Sequence, residues 1–277
     1  MDTKIVRYIL CRMLGVEAAL LLVPVLVAVI YQEKCGIVFL IPIVILCLLF
    51  WVVGRKRPEH GQIYGKEGMV IVALAWILWS LFGAMPFTLS GYIPSYVDAF
   101  FETVSGFTTT GSSIIPDVEV LPHCLLFWRS FTHWIGGMGV LVFVLVVTSL
   151  DRKNSMHLMR AEVPGPEKDK LVPKAMSTAR ILYGMYLTLT VIEMVFLVIG
   201  GMNLFDSMIF SFGSAGTGGF SNYADSVAHF NSAYIDGVIT VFCALFGVNF
   251  ALFYFMILGD FKSILKNEEL RTYILLI

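Results

Sequence analysis

The stretch "DAFFETVSGFTTTGSS" at residues 98–113 superposes without a gap on "DSMIFSFGSAGTGGFS" at residues 206–221, at an offset of 108 positions. Asp98 falls on Asp206, Thr109 on Thr217, Gly111 on Gly219 and Ser113 on Ser221. Each stretch follows one long apolar run and precedes another. The repeated unit is therefore a long helix, a short apolar segment, a Gly/Thr loop and a second long helix.

The surroundings set the solvent. The chain has 277 residues, 58% hydrophobic and only 14% charged, with a mean hydropathy of +0.83. A soluble domain of this length needs far more charge to cover its surface. Long apolar runs occupy residues 10–31, 36–53, 68–90, 124–150, 178–200 and 233–259. A bilayer core needs roughly 20 apolar residues in a helix, which predicts an all-α, multi-pass membrane protein. Six such runs exclude the buried helices of a soluble enzyme.

The net charge of −1 says little, but its distribution is informative. With a cytoplasmic N-terminus and six passes, the inside segments are 1–12, 54–67, 151–180 and 260–277. They hold 17 of the 19 Lys and Arg, leaving Lys34 and Arg129 elsewhere. That is the positive-inside pattern. The five cysteines form no C-x-x-C and sit mostly in apolar runs, as small hydrophobes do. The first apolar run is too long for a signal peptide and lacks a small-residue cleavage site.

The two short segments, about ten residues each, cannot cross a bilayer and suit re-entrant half-helices. Asp98 and Asp206 are expected to be their N-caps. Each half-helix then ends at the Thr/Gly loop and turns its partial negative charge toward it. Irregular backbone at membrane depth is tolerated only inside protein or beside water. Glycine allows positive φ, and threonine adds hydroxyls. Inward carbonyls can replace the hydration shell of a potassium ion, as in the T-V-G-Y-G filter of potassium channels. Thr109-Thr110-Gly111-Ser112-Ser113 and Thr217-Gly218-Gly219-Phe220-Ser221 keep the first Thr and the middle Gly of that pattern. Both lose its last Gly. The expected cation-binding residues are Thr109, Thr110, Gly111 and Ser112 in the first loop, and Thr217, Gly218, Gly219 and Phe220 in the second.

With "FETVSGFTTTGSS", "FWRSFTHWIGGMGVLV", "AEVPGP" and "GTGGFSNY", all within residues 101–223, the sequence resembles the TrkH type of the Trk/Ktr/HKT superfamily of potassium transporters. The extra helix pair at 10–31 and 36–53 also suits that type. The resemblance implies four M1–P–M2 repeats around one pore, with a filter glycine in each, here Gly111 and Gly219. Some plant relatives that prefer sodium carry Ser at the first of these positions, so Gly111 implies potassium. Only two repeats stand in this chain, which ends in "LRTYILLI", similar to the entry to a third M1. The resemblance thus implies completion of the pore by two further repeats or by a second copy, as a homodimer. It also implies a cytosolic nucleotide-binding regulatory ring as a partner; no nucleic acid is expected.

The resulting division is an N-terminal transmembrane hairpin at 1–60, a first repeat at 61–150, a cytoplasmic linker at 151–177, a second repeat at 178–259, and at 260–277 a cytoplasmic segment with the start of a third M1. Glu17 and Glu193 lie within apolar helices, where an ionisable group is a functional candidate. Arg129 and His133, one turn apart, are read as structural partners of Glu102 or of the pore-helix backbone; Arg129 also stands to modulate the field at the mouth. Asn249 is expected to hydrogen-bond between helices. Gly136-Gly137-Met138-Gly139 permits close helix contact or a bend. The competing classes are a structural or regulatory membrane subunit and an intramembrane serine hydrolase. The latter would use Ser214 in "GSAG", but Phe212 stands where G-x-S-x-G needs glycine.

Overall fold

The computed structural model describes residues 3–54, 65–139, 175–257, 259–260, 264 and 266–277. The linker expected at 151–177 and the second half of the run 124–150 lie almost wholly or wholly outside these residues. All regular structure among the described residues is helical. The N-terminal hairpin is α1 (Thr3–Leu20), α2 (Leu22–Ile30) and α3 (Leu40–Val53). The first repeat follows as α4 (Gly65–Leu89), the half-helix α5 (Tyr96–Phe107) and α6 (His123–Gly137). The second is α7 (Ala175–Ile199), the half-helix α8 (Leu204–Ala215) and α9 (Ala233–Gly247), then α10 (Phe250–Ile257) and α11 (Glu268–Leu276).

Among the described residues, Thr3–Ile30, Lys34–Val53, Lys66–Leu89 and Arg180–Ile199 are each long and apolar enough to cross a membrane. The run at 233–259 departs from the expected single span. It breaks between α9 and α10 with a 90° bend. Asn249 stands at that break and makes the expected bond between helices, to Glu269 in the first turn of α11. Its Oδ1 accepts from Ala251 N at 3.0 Å, in the manner of a cap, and its Nδ2 donates to Glu269 Oε2 at 3.1 Å.

The half-helices are 12 residues each. Their N-caps are Ser95 and Asn203, three residues before the expected aspartates. The side-chain oxygen of Asn203 accepts from Asp206 N at 2.8 Å, and that of Ser95 accepts from Asp98 N at 3.4 Å. Asp98 and Asp206 instead occupy the first turn, where their charge complements the helix dipole. Ser95 and Asn203 are themselves 108 residues apart, so the repeat extends beyond the stretch that first shows it.

The core puts α6 at the centre. It packs on α2, α5 and α8, while α4 covers α5 and α7 covers α8. Trp128 of α6 is fully buried and donates from Nε1 to Gly83 O of α4 at 2.9 Å. The α6 N-terminus begins at Pro122, which offers no side-chain cap. The hairpin supplies one instead: Glu33 accepts from His123 N at 2.7 Å and from Cys124 N at 3.0 Å. Burial alone would raise the Glu33 carboxyl. The hydrogen bonds from Cys124 and His123 outweigh it and hold the pKa below the usual 4.5.

Candidate functional site

Both half-helices end in the same way. In the first, Thr110 N donates to Ser105 O at 2.9 Å and Thr109 N to Gly106 O at 3.0 Å. In the second, Gly218 N donates to Gly213 O at 3.1 Å and Thr217 N to Ser214 O at 2.8 Å. These paired bonds are Schellman motifs, whose penultimate residue is left-handed and usually glycine. Here it is threonine in both repeats, Thr109 at φ 55° and Thr217 at φ 54°. A β-branched residue in that region is a genuine outlier. Two positions on, Gly111 and Gly219 have φ of 77° and 79°. The expected positive φ at the glycines is present. The strained threonines were not foreseen, because sequence reasoning assigned left-handed backbone to glycine alone.

The two loops meet. A Cβ built on Gly111 would run into the carbonyl oxygen of Gly218, so the first loop presses directly on the second. A Cβ on Gly218 would strike the His133 ring. Gly219 has nothing within 4 Å of the equivalent position. Thr110 and Ser112 are exposed, as are Thr217 and Gly219. The Thr110 hydroxyl lies 2.8 Å from that of Thr108, which in turn donates to Val104 O at 2.7 Å. Phe220 is different: its ring is buried, 3.9 Å from the His133 ring and 3.5 Å below the Arg129 guanidinium. Its main chain packs on Gly213 of α8, where a Cβ would lie 2.7 Å from the Phe220 carbonyl oxygen.

Helix α6 is the wedge between the loops. Gly136 allows it to reach the carbonyl of Phe107, the last residue of α5. Gly137 does the same at Ala215, the last residue of α8, where a Cβ would lie 3.0 Å from the carbonyl oxygen. Close contact, one of the two roles expected of these glycines, is what they make. Two turns earlier, Arg129 donates from Nε to Glu102 Oε1 at 2.6 Å and from an Nη to Ser221 O at 2.9 Å. Glu102 also accepts from Ser113 Oγ at 3.0 Å and Ile114 N at 2.9 Å. Arg129 is thus partner to Glu102, as expected from sequence, and also to the second loop, which was not.

The second loop has its own clamp. Asp206 is buried and accepts from Asn222 Nδ2 at 2.6 Å, Tyr223 Oη at 2.9 Å and Asn203 Nδ2 at 2.7 Å. Burial, and after it the bond to Asp206, pushes the Tyr223 hydroxyl up to about 12. A cleft of about 490 Å³ opens beside this clamp, lined by Tyr31, Glu119, His123 and Asp206 among others. Glu17 and Glu193 are fully buried, and none of their carboxyl oxygens has a hydrogen-bond partner among the described residues. Ser214 is buried in the last turn of α8, its carbonyl taken by Thr217 N.

Residues 36–276 match the family model TrkH, described as a cation transport protein. The chain is 35% identical over 261 residues to the Trk system potassium uptake protein TrkH of Escherichia coli, across 92% of this chain and 53% of that protein. It is 34% identical to the protein of the same name from Vibrio parahaemolyticus, across 95% of this chain and 56% of that one. An uncharacterised cation transporter of Methanocaldococcus jannaschii is 33% identical across 87% of the chain and 50% of its own length. Among solved structures, the crystal structure of the potassium transporter TrkH from Vibrio parahaemolyticus superposes with a TM-score of 0.84 at 29% identity, covering 99% of this chain and 57% of that one. The chain spans about half the length of the curated relatives it matches.

Proposed function

The chain belongs to the TrkH family of cation transport proteins, and from that premise we propose that it supplies two of the loops that select potassium during its uptake across the cell membrane. The family is one of membrane transporters, not of enzymes. The loops are Thr109–Ser112 and Thr217–Phe220. The observation that carries this is their matched backbone: left-handed Thr109 and Thr217, left-handed Gly111 and Gly219, and Gly111 packed on Gly218 O. Strained residues repeated at one site point to function. Glycine at 109 and 217 would relieve the left-handed penalty of about 1–2 kcal/mol. Threonine there retains a hydroxyl that glycine lacks.

The chemistry follows. A potassium ion sheds its water and is met by carbonyl and hydroxyl oxygens of the loops. Each half-helix directs the negative end of its dipole, about half an elementary charge, at that point. The close packing of Gly111 on Gly218 holds the oxygens at a spacing that suits one cation better than another. The remaining oxygens come from two further repeats or from a second copy, in a homodimer. The N-terminus is cytoplasmic in the cell's inner membrane, and the linker at 151–177 receives a cytosolic nucleotide-binding ring.

The test is rubidium and potassium uptake, with sodium as competitor, in cells lacking their own uptake systems. The natural gene product is compared with Gly111→Ser and Gly219→Ser. Sodium discrimination should fall about tenfold, equivalent to roughly 1.4 kcal/mol. Unchanged discrimination at normal membrane levels in both variants would discard the filter assignment.

A further inference from the structure

We propose that Arg129 is a positioning residue for selectivity: one ion pair, Arg129–Glu102, fixes the spacing between the two loops and so sets how well potassium is told from sodium. This rests on the filter assignment above. The pair ties down the trailing ends of both loops at once. Through Glu102 it holds Ser113 Oγ and Ile114 N, which directly follow Thr109–Ser112. Through an Nη of Arg129 it holds Ser221 O, which directly follows Thr217–Phe220, at 2.9 Å. The guanidinium also stacks 3.5 Å over the Phe220 ring.

The chemistry favours positioning over stability. The side chains are 3% and 0% exposed. A buried pair gains little net stability over apolar groups of similar volume. What the pair does offer is direction, since the planar guanidinium sends one N–H to Glu102 and another to Ser221 at a fixed angle. The second repeat has no counterpart: at the same offset of 108, Phe210 stands at the position of Glu102 and Gly237 at that of Arg129. One pair therefore serves both loops. Moving either partner shifts Gly111 and Gly218 relative to each other, where they already touch.

The experiment uses the natural gene product in the same uptake assay, with Arg129→Lys, Glu102→Gln, Arg129→Met and the double variant Glu102→Gln/Arg129→Met. The double variant leaves no lone buried charge and should reach the membrane at normal levels. Its potassium-over-sodium discrimination should drop about tenfold, while the maximal uptake rate changes less. Arg129→Lys keeps the charge but not the fork, and should fall between. A double variant at normal levels with unchanged discrimination would overturn the proposal. Should the double variant fail to accumulate, unchanged discrimination in Arg129→Lys overturns it equally. Gly111→Ser and Gly219→Ser separate the two ideas. If they alter discrimination and the Arg129 series does not, the brace is wrong and the filter stands. If neither glycine variant alters it, the filter assignment itself has failed.

Discussion

The two loops share a backbone and differ in what holds it. In the first repeat the support comes from Glu102, in the second turn of the half-helix, and from a charged partner on α6. In the second it comes from Asp206 at the first turn, with three neutral donors, Asn203, Asn222 and Tyr223. The residues 108 places from Asn222 and Tyr223 are Ile114 and Ile115, which cannot make that clamp. The M2 helices differ too. The N-terminus of α6 is capped from a distance by Glu33, whereas α9 begins at Ser232, whose own hydroxyl accepts from Ile235 N. Equivalent backbone does not require equivalent side chains, provided each buried donor and acceptor finds a partner.

The sharpest test of this asymmetry is the pair Gly111→Ala and Gly219→Ala. Both glycines are left-handed, and alanine there costs about 1–2 kcal/mol. Only at 111 does the new methyl also meet backbone, the Gly218 carbonyl. Overpacking adds about 1–3 kcal/mol. Thermal unfolding of the purified protein should show the larger loss at 111, and equal losses would erase the distinction between the loops.

Next in size, Asp206→Ala should cost about 2–3 kcal/mol, since its bonds involve a charged acceptor. Its repeat-mate Asp98→Ala should lose only the dipole contribution, about 0.3–1 kcal/mol. The clamp also has a pH signature. Because the folded Tyr223 pKa is raised, its contribution is complete below the ordinary value of 10.0 and is lost as pH rises toward about 12. Tyr223→Phe should remove that alkaline loss; an unaltered alkaline limb would show that the clamp does not titrate there.

The capping contrast predicts a smaller effect at the other end of the pH scale. Glu33→Gln should cost about 0.5–2 kcal/mol, as for a lost cap. The lowered pKa means that the Glu33 contribution is present above 4.5 and disappears as pH falls through the folded value. Stability curves of the variant and the parent should therefore converge in acid. A gap that persists there would mean that Glu33 acts through shape and not charge.

The smallest effect on stability should be the most informative about function. Thr109→Gly and Thr217→Gly relieve strain, offset by glycine's greater chain entropy, and should change stability by less than about 1 kcal/mol. Potassium uptake should nonetheless fall in both, because the hydroxyls are gone. Full uptake in the glycine variants would make the threonines incidental.

Some of this was legible beforehand. The apolar runs announced membrane helices because their length alone matches a bilayer. The half-helices showed themselves by recurrence, although their caps were misplaced by three residues. Ser95 and Asn203 look like ordinary turn residues until the helix start is known, and a nearby aspartate is as good a cap by type. The 90° break at 248–249 was hidden because no proline or run of glycines marks it; Asn249 alone hints at a cap.

By itself the sequence determined the repeated unit, the left-handed glycines and the family, because these depend on local composition and on a pattern read along the chain. Only the tertiary structure decided which residues support which loop. Arg129 reaches Glu102 across 27 residues and Ser221 across 92, and Glu33 caps His123 across 90. Such pairs satisfy buried polar groups, and that demand arises only once folding has removed the water that would otherwise meet it.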